Sequence, residues 1–129
     1  MGFLEKYQPQ LLGLLRIVSG LLFLEHGTMK LLHWPASTMP APPAQFMLIL
    51  TVAGVIELVG GALVTVGYFT RVAAFIMSGE MAFAFWLGHA ARTGYFFPAQ
   101  NGGDAAVLFC FVFLYIAAAG PGAWSASRK

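Results

Sequence analysis

Apolar residues run along this chain in four long blocks, with no strict alternation of apolar and polar positions. The blocks cover about residues 11–33, 46–68, 72–91 and 104–119. A helix that crosses a hydrocarbon core needs about 20 mostly apolar residues. Strands of a membrane barrel would alternate apolar and polar side chains, so the blocks are expected to be helices. The breaks between them carry their own signals. Trp34-Pro35 closes the first block, because proline disfavours helix at the residue before it. Pro40, Pro42 and Pro43 keep the next connection extended. Gly67 stands where a helix-ending glycine belongs, and Thr70 is expected to cap the following helix. That short link makes the second and third helices an antiparallel hairpin. Residues 92–101 form the third connection, with Tyr95, Phe96, Phe97 and Pro98 in it. Asn101 is expected to cap the fourth helix, with Asp104 in favourable register with its dipole. The aromatic residues of the outer loops fit a headgroup belt better than a lid.

Composition turns these blocks into a class. Of the 129 residues, 59% are hydrophobic and 9% are charged, and the mean hydropathy is +0.77. Ordinary soluble domains carry roughly 25% charged residues. Such a chain cannot clothe a soluble surface, and it is too apolar for disorder. The expected fold is an all-α integral membrane four-helix antiparallel bundle in one domain over residues 1–129. The net charge of +2 argues against a nucleic-acid partner. The lone Cys110 permits neither an internal disulfide nor a CxxC dithiol, and its apolar surroundings mark it as a packing residue.

With four spans both termini share one side of the membrane. That side holds Lys6, Arg16, Arg71, Arg128 and Lys129; the other holds Lys30 and Arg92. The positive-inside rule then places both termini in the cytoplasm.

The acids are the most informative residues. Apart from Glu5 in the tail, one falls in each expected helix: Glu25, Glu57, Glu80 and Asp104. A charge near mid-bilayer costs at least about 2.5–3.5 kcal/mol, so such residues face a cavity or a partner. Glu57 shares a helix face with Gly54 and Gly61 and should point into the bundle. Glu80 shares a small-residue strip with Ala73, Met77 and Ala84. Basic groups exist at matching depth: His26 and Lys30 lie on one face, His89 and Arg92 on another, and Arg16 is placed to pair with Glu80. Glu80 and His89 are nine residues apart, which puts them on opposite faces of a regular helix. They meet one pocket only if the helix is distorted; otherwise the His89 face snorkels or meets a second copy of the chain.

Two readings of these groups stay open. One is a polar cavity with a titrating cluster serving a quinone, a redox partner or a transported solute. The other is a set of buried pairs that fixes helix register. No metal site is expected, because no HxxxH or CxxC spacing occurs. His26 and His89 lie on different helices, as haem ligation needs, but nothing else in the chain supports haem.

Several stretches resemble the DoxX family of membrane proteins. They are residues 15–31, Gly54 to Gly61 with its GVIELVGG pattern, Gly67 to Ala74, Gly79 to Ala82 with His89, Asn101 to Asp104, and Ala117 to Gly122. Asp104 stands where a glutamate is more usual in the family. The resemblance implies a four-helix protein of a bacterial inner membrane, with relatives associated with thiosulfate:quinone oxidoreduction. Fold membership does not transfer an activity. The leading expectation is a redox-associated subunit binding a quinone-like or other small ligand among Glu25, His26, Glu57, Glu80, Arg16 and His89. No cofactor other than a quinone is suggested, and no catalytic residue is assigned. The partners expected are the lipid bilayer, a soluble redox partner on the cytoplasmic side and a second copy of the chain. The alternatives are a small transporter or channel subunit, and a membrane adaptor for a soluble oxidoreductase.

Overall fold

A computed structural model describes residues 1–128. Lys129, counted above among the terminal-side charges, lies outside the described residues. The fold is all-helical, with no strand among the described residues. After a single turn at Gly2–Glu5, the chain forms α1 (Gln8–Leu32), α2 (Met47–Val66, entered through a 3-10 turn at Ala44–Phe46), α3 (Thr70–Thr93) and α4 (Asp104–Ala119). A further turn, Pro98–Asn101, precedes α4. The first three are long and apolar enough to cross a membrane. The fourth is apolar but has 16 residues, which at 1.5 Å each span about 24 Å. Of the four spans expected, three are thus long apolar helices and the fourth is a shorter apolar helix.

The helices pack as two tight pairs, α1 with α2 and α3 with α4, and the contact between α2 and α3 is looser. Glycine makes the first pair tight. A Cβ on Gly27 would lie 2.5 Å from the Leu58 backbone nitrogen, and one on Gly20 would lie 2.7 Å from that of Thr65. Gly61 approaches the Leu24 backbone in the same way. Close backbone contact of this kind replaces hydrophobic driving force between helices in lipid. Between the pairs, Phe23 of α1 meets Phe113 and Phe109 of α4 at centroid distances of 4.6 and 5.1 Å, and Met77 and Ala74 of α3 complete the core.

Gly67 ends α2 as expected. It takes φ +79°, its N–H bonds Val64 C=O, and Tyr68 N–H reaches back to Leu63 C=O. This is a Schellman closure, which a residue without Cβ enters at no steric cost. Thr70 does not cap α3. Phe69 holds the cap position with no side-chain bond, and Thr70 Oγ1 is buried without a hydrogen-bond partner. Asn101 is likewise displaced from the expected cap. Gly103 caps α4, while Asn101 Oδ1 accepts the Gly103 N–H at 2.8 Å and its amide donates to Tyr95 C=O at 3.0 Å. The side chain braces the loop because it can accept and donate at once.

One end of the bundle gathers the start of α1, the α2–α3 turn and the end of α4. The last residues fold across it. Ala123 N–H bonds Pro9 C=O, Ala126 N–H bonds Val66 C=O, and Ser127 N–H bonds Gly67 C=O. Two arginines hold this end. Arg71 donates to Ala117 C=O at 3.1 Å and also to Ala118 C=O, where a cation complements the helix dipole. Arg16 is fully buried and donates to Pro121 C=O at 2.7 Å and Trp124 C=O at 2.9 Å.

Candidate intramembrane binding site

The polar centre of the bundle lies on three helices. Glu57, ten residues into α2, is 3% exposed. Both its oxygens stand 2.6 Å from Lys30 Nζ. Lys30 is in the last turn of α1, packed beside Gly54, and helical side chains lean toward the N-terminus. That lean takes its ammonium back into the bundle toward Glu57. Glu80 of α3 completes the group. Its carboxyl neighbours that of Glu57, and Lys30 is also within its electrostatic reach. The chain thus sets two carboxyls and one ammonium side by side, and Lys30 is spent on Glu57.

Glu80 is different from its neighbours. Both of its oxygens are buried, and no donor reaches either. The adjacent Glu57 carboxylate is itself an acceptor, so the two oxygens meet hydrogen only if one carboxyl is protonated. Buried polar atoms are almost always satisfied, and an exception asks for an explanation. Glu80 also lines a cavity of about 480 Å³ between α2 and α3, with Leu48, Val52, Ile56, Gly79 and Phe83 among its walls. Nothing lies within 4 Å of where a Cβ on Gly79 would point, so the wall is open beside the acid.

The other residues expected at the site have other places. Arg16 does not pair with Glu80; its guanidinium is taken by the carbonyls of the C-terminal segment, which the chain folds back over it. Glu25 and His26 are exposed on α1, and His26 Nδ1 is 2.6 Å from its own helix's Leu22 C=O. His89 lies in a stretch of α3 wound as a π-helix, Ala84–Ala90. The helix is distorted where two faces had to be reconciled, yet His89 joins the α3–α4 loop instead, with Nδ1 3.2 Å from Asn101 C=O. Asp104 is exposed in the first turn of α4. Tyr95, Phe96 and Phe97 are all exposed, Phe96 resting against Trp86. Ser78 Oγ donates to Cys110 C=O at 2.7 Å, which ties α3 to α4. Among the described residues no three of His, Cys, Asp and Glu come together as a metal would need.

The sequence places Lys30 among the basic groups at matching depth but not among the expected ligand-binding residues. Lys30 reads as an outer-end charge. The signal was its place one turn beyond the acid-bearing level of α1, with a stem long enough to reach back.

A sequence profile of the DoxX family matches residues 11–90, the stretch that supplies Lys30, Glu57 and Glu80. The chain belongs to the DoxX family. A Haemophilus influenzae (strain Rd) protein described as uncharacterized is 47% identical to it over 130 residues, covering 100% of this chain and 97% of its own. No solved structure gives a significant match. As a DoxX protein the chain is a membrane protein, and its polar cluster lies wholly inside the matched region.

Proposed function

We propose that this DoxX protein is a redox-associated membrane subunit that holds a quinone-like ligand in the α2–α3 cavity, against Glu80. The observation that carries the reading is Glu80 itself, a wall residue of a cavity of about 480 Å³ whose two buried oxygens have no donor. The remaining lining residues are apolar or glycine, which suits a flat lipophilic ring with one polar contact. Lys30 and Glu57 behind it hold the polar side in place and can relay a proton to Glu80. The chain has no dithiol of its own, so electrons would come from a soluble partner at the cytoplasmic face. The end that carries Lys6, Arg16 and Arg71 is taken as that face, in a bacterial inner membrane.

The test is a titration of purified protein in nanodiscs with a decyl-substituted benzoquinone. Saturable binding is expected to the wild type and to Gly88→Leu, whose new side chain also meets open space. Gly79→Leu fills the cavity and is expected to weaken binding at least about tenfold, a loss of roughly 1.4 kcal/mol. Equal binding by Gly79→Leu, or none by the wild type, would refute the reading.

A further inference from the structure

Resting on that reading, we propose that the site selects the reduced, hydroxyl-bearing form of its ligand, with the apolar tail laid along the α2–α3 groove toward Phe69. The chemistry of the head group follows from what Glu80 lacks. An ionised Glu80 offers only acceptors. If Glu80 shares a proton with the adjacent Glu57, its second oxygen is still an acceptor without a donor. In both cases the missing element is a hydrogen-bond donor brought from outside. Lys30 does not supply it: its ammonium lies 2.6 Å from each oxygen of Glu57 and outside hydrogen-bond distance of either Glu80 oxygen. A quinone ring presents carbonyl oxygens, which would meet Glu80 acceptor to acceptor. A hydroquinone presents hydroxyls, which donate. A site built to satisfy a hydroxyl rejects the analogue that lacks it, since the buried acceptor is then left unpaired.

The tail follows from continuity. The cavity at Glu80 and a second one of about 400 Å³ share Ile56 and Ile76 as walls. The second is lined by apolar residues and Gly60 and runs toward Phe69, at the start of α3. It lies along the looser of the helix contacts, between the two tight pairs. A ligand whose ring meets Glu80 therefore finds an adjoining apolar groove for a chain on one side. Val59 and Val72 flank that groove, 53% and 62% exposed.

The experiment compares three probes on the whole protein in nanodiscs under anaerobic conditions: decyl-hydroquinone, the matching decyl-benzoquinone, and the dimethyl ether of the hydroquinone. The hydroquinone is expected to bind about tenfold more tightly than either of the others, the ratio one net hydrogen bond provides. In Glu80→Gln the amide supplies a donor as well as an acceptor, so the hydroquinone-to-quinone ratio is expected to fall to about one. Val59→Trp is expected to weaken the decyl probe and leave trimethylhydroquinone, which has no long tail, unchanged. Saturable binding of quinone and hydroquinone with equal affinity, blocked by Gly79→Leu, would overturn the selectivity and leave the binding site standing. Failure of both forms to bind would overturn the site itself. A Val59→Trp protein that binds decyl-hydroquinone as the wild type does would overturn the path of the tail.

Discussion

Lys30, Glu57 and Glu80 form a centre in which the three residues do unequal work. The Lys30–Glu57 pair is structural in energy whatever else it does, because each charge removes the need to neutralise the other. Lys30→Met leaves Glu57 buried without a cation and is expected to cost about 3–5 kcal/mol of stability. Lys30→Met combined with Glu57→Met should recover most of that loss, as measured by thermal unfolding in detergent. Glu80→Gln should behave differently. Glu80 accepts no hydrogen bond from a donor group of the fold, and the substitution removes a carboxyl from beside Glu57. The expected effect on unfolding temperature is zero or a gain; a loss like that of Lys30→Met would mean that Glu80 only fixes helix register. The acids of the bundle were legible in the sequence, because charge is scarce in an apolar chain. Their partners were not. Arg16 and Glu80 lie at matching depth, but depth along a helix does not say that a C-terminal segment folds back onto Arg16.

The helices are held by fit where they touch and left open where they do not, and glycine marks both. Gly27 sits against the backbone of Leu58, which cannot yield as a side-chain tip can. Gly27→Ala is expected to force α1 and α2 apart at a cost of about 1–3 kcal/mol. Gly79→Ala meets nothing and should be neutral or stabilise by up to about 1 kcal/mol, the usual gain of alanine over glycine in a helix. Parallel melting curves of the two variants check the contrast. The blocks and their ends were readable because apolar length and Gly67 report local physics. The π-wound stretch Ala84–Ala90 was not, although the nine-residue offset of Glu80 and His89 showed that a regular helix could not serve both. Thr70 and Asn101 have the right chemistry for caps, and the tertiary contacts around each turn used them elsewhere.

The whole molecule is two tight helix pairs with a seam between them, closed at one end by the chain's own last residues. Arg16 locks that closure from beneath. Arg16→Met should free the segment from Pro121 to Ser127, seen as faster proteolytic trimming of the C-terminus with the helices intact. The family is legible over most of the chain, whereas the seam is a property of packing that no single helix announces. The account stands on the seam being the ligand's place. Its most direct measurement is photolabelling of the nanodisc-held protein with an azido-benzoquinone bearing a decyl tail, followed by peptide mapping. Labels are expected on the facing walls of the seam, at Ile49, Val52 and Phe83, and are expected to vanish in Gly79→Leu. Labels on the exposed faces of α1 and α4, unchanged in Gly79→Leu, would contradict it.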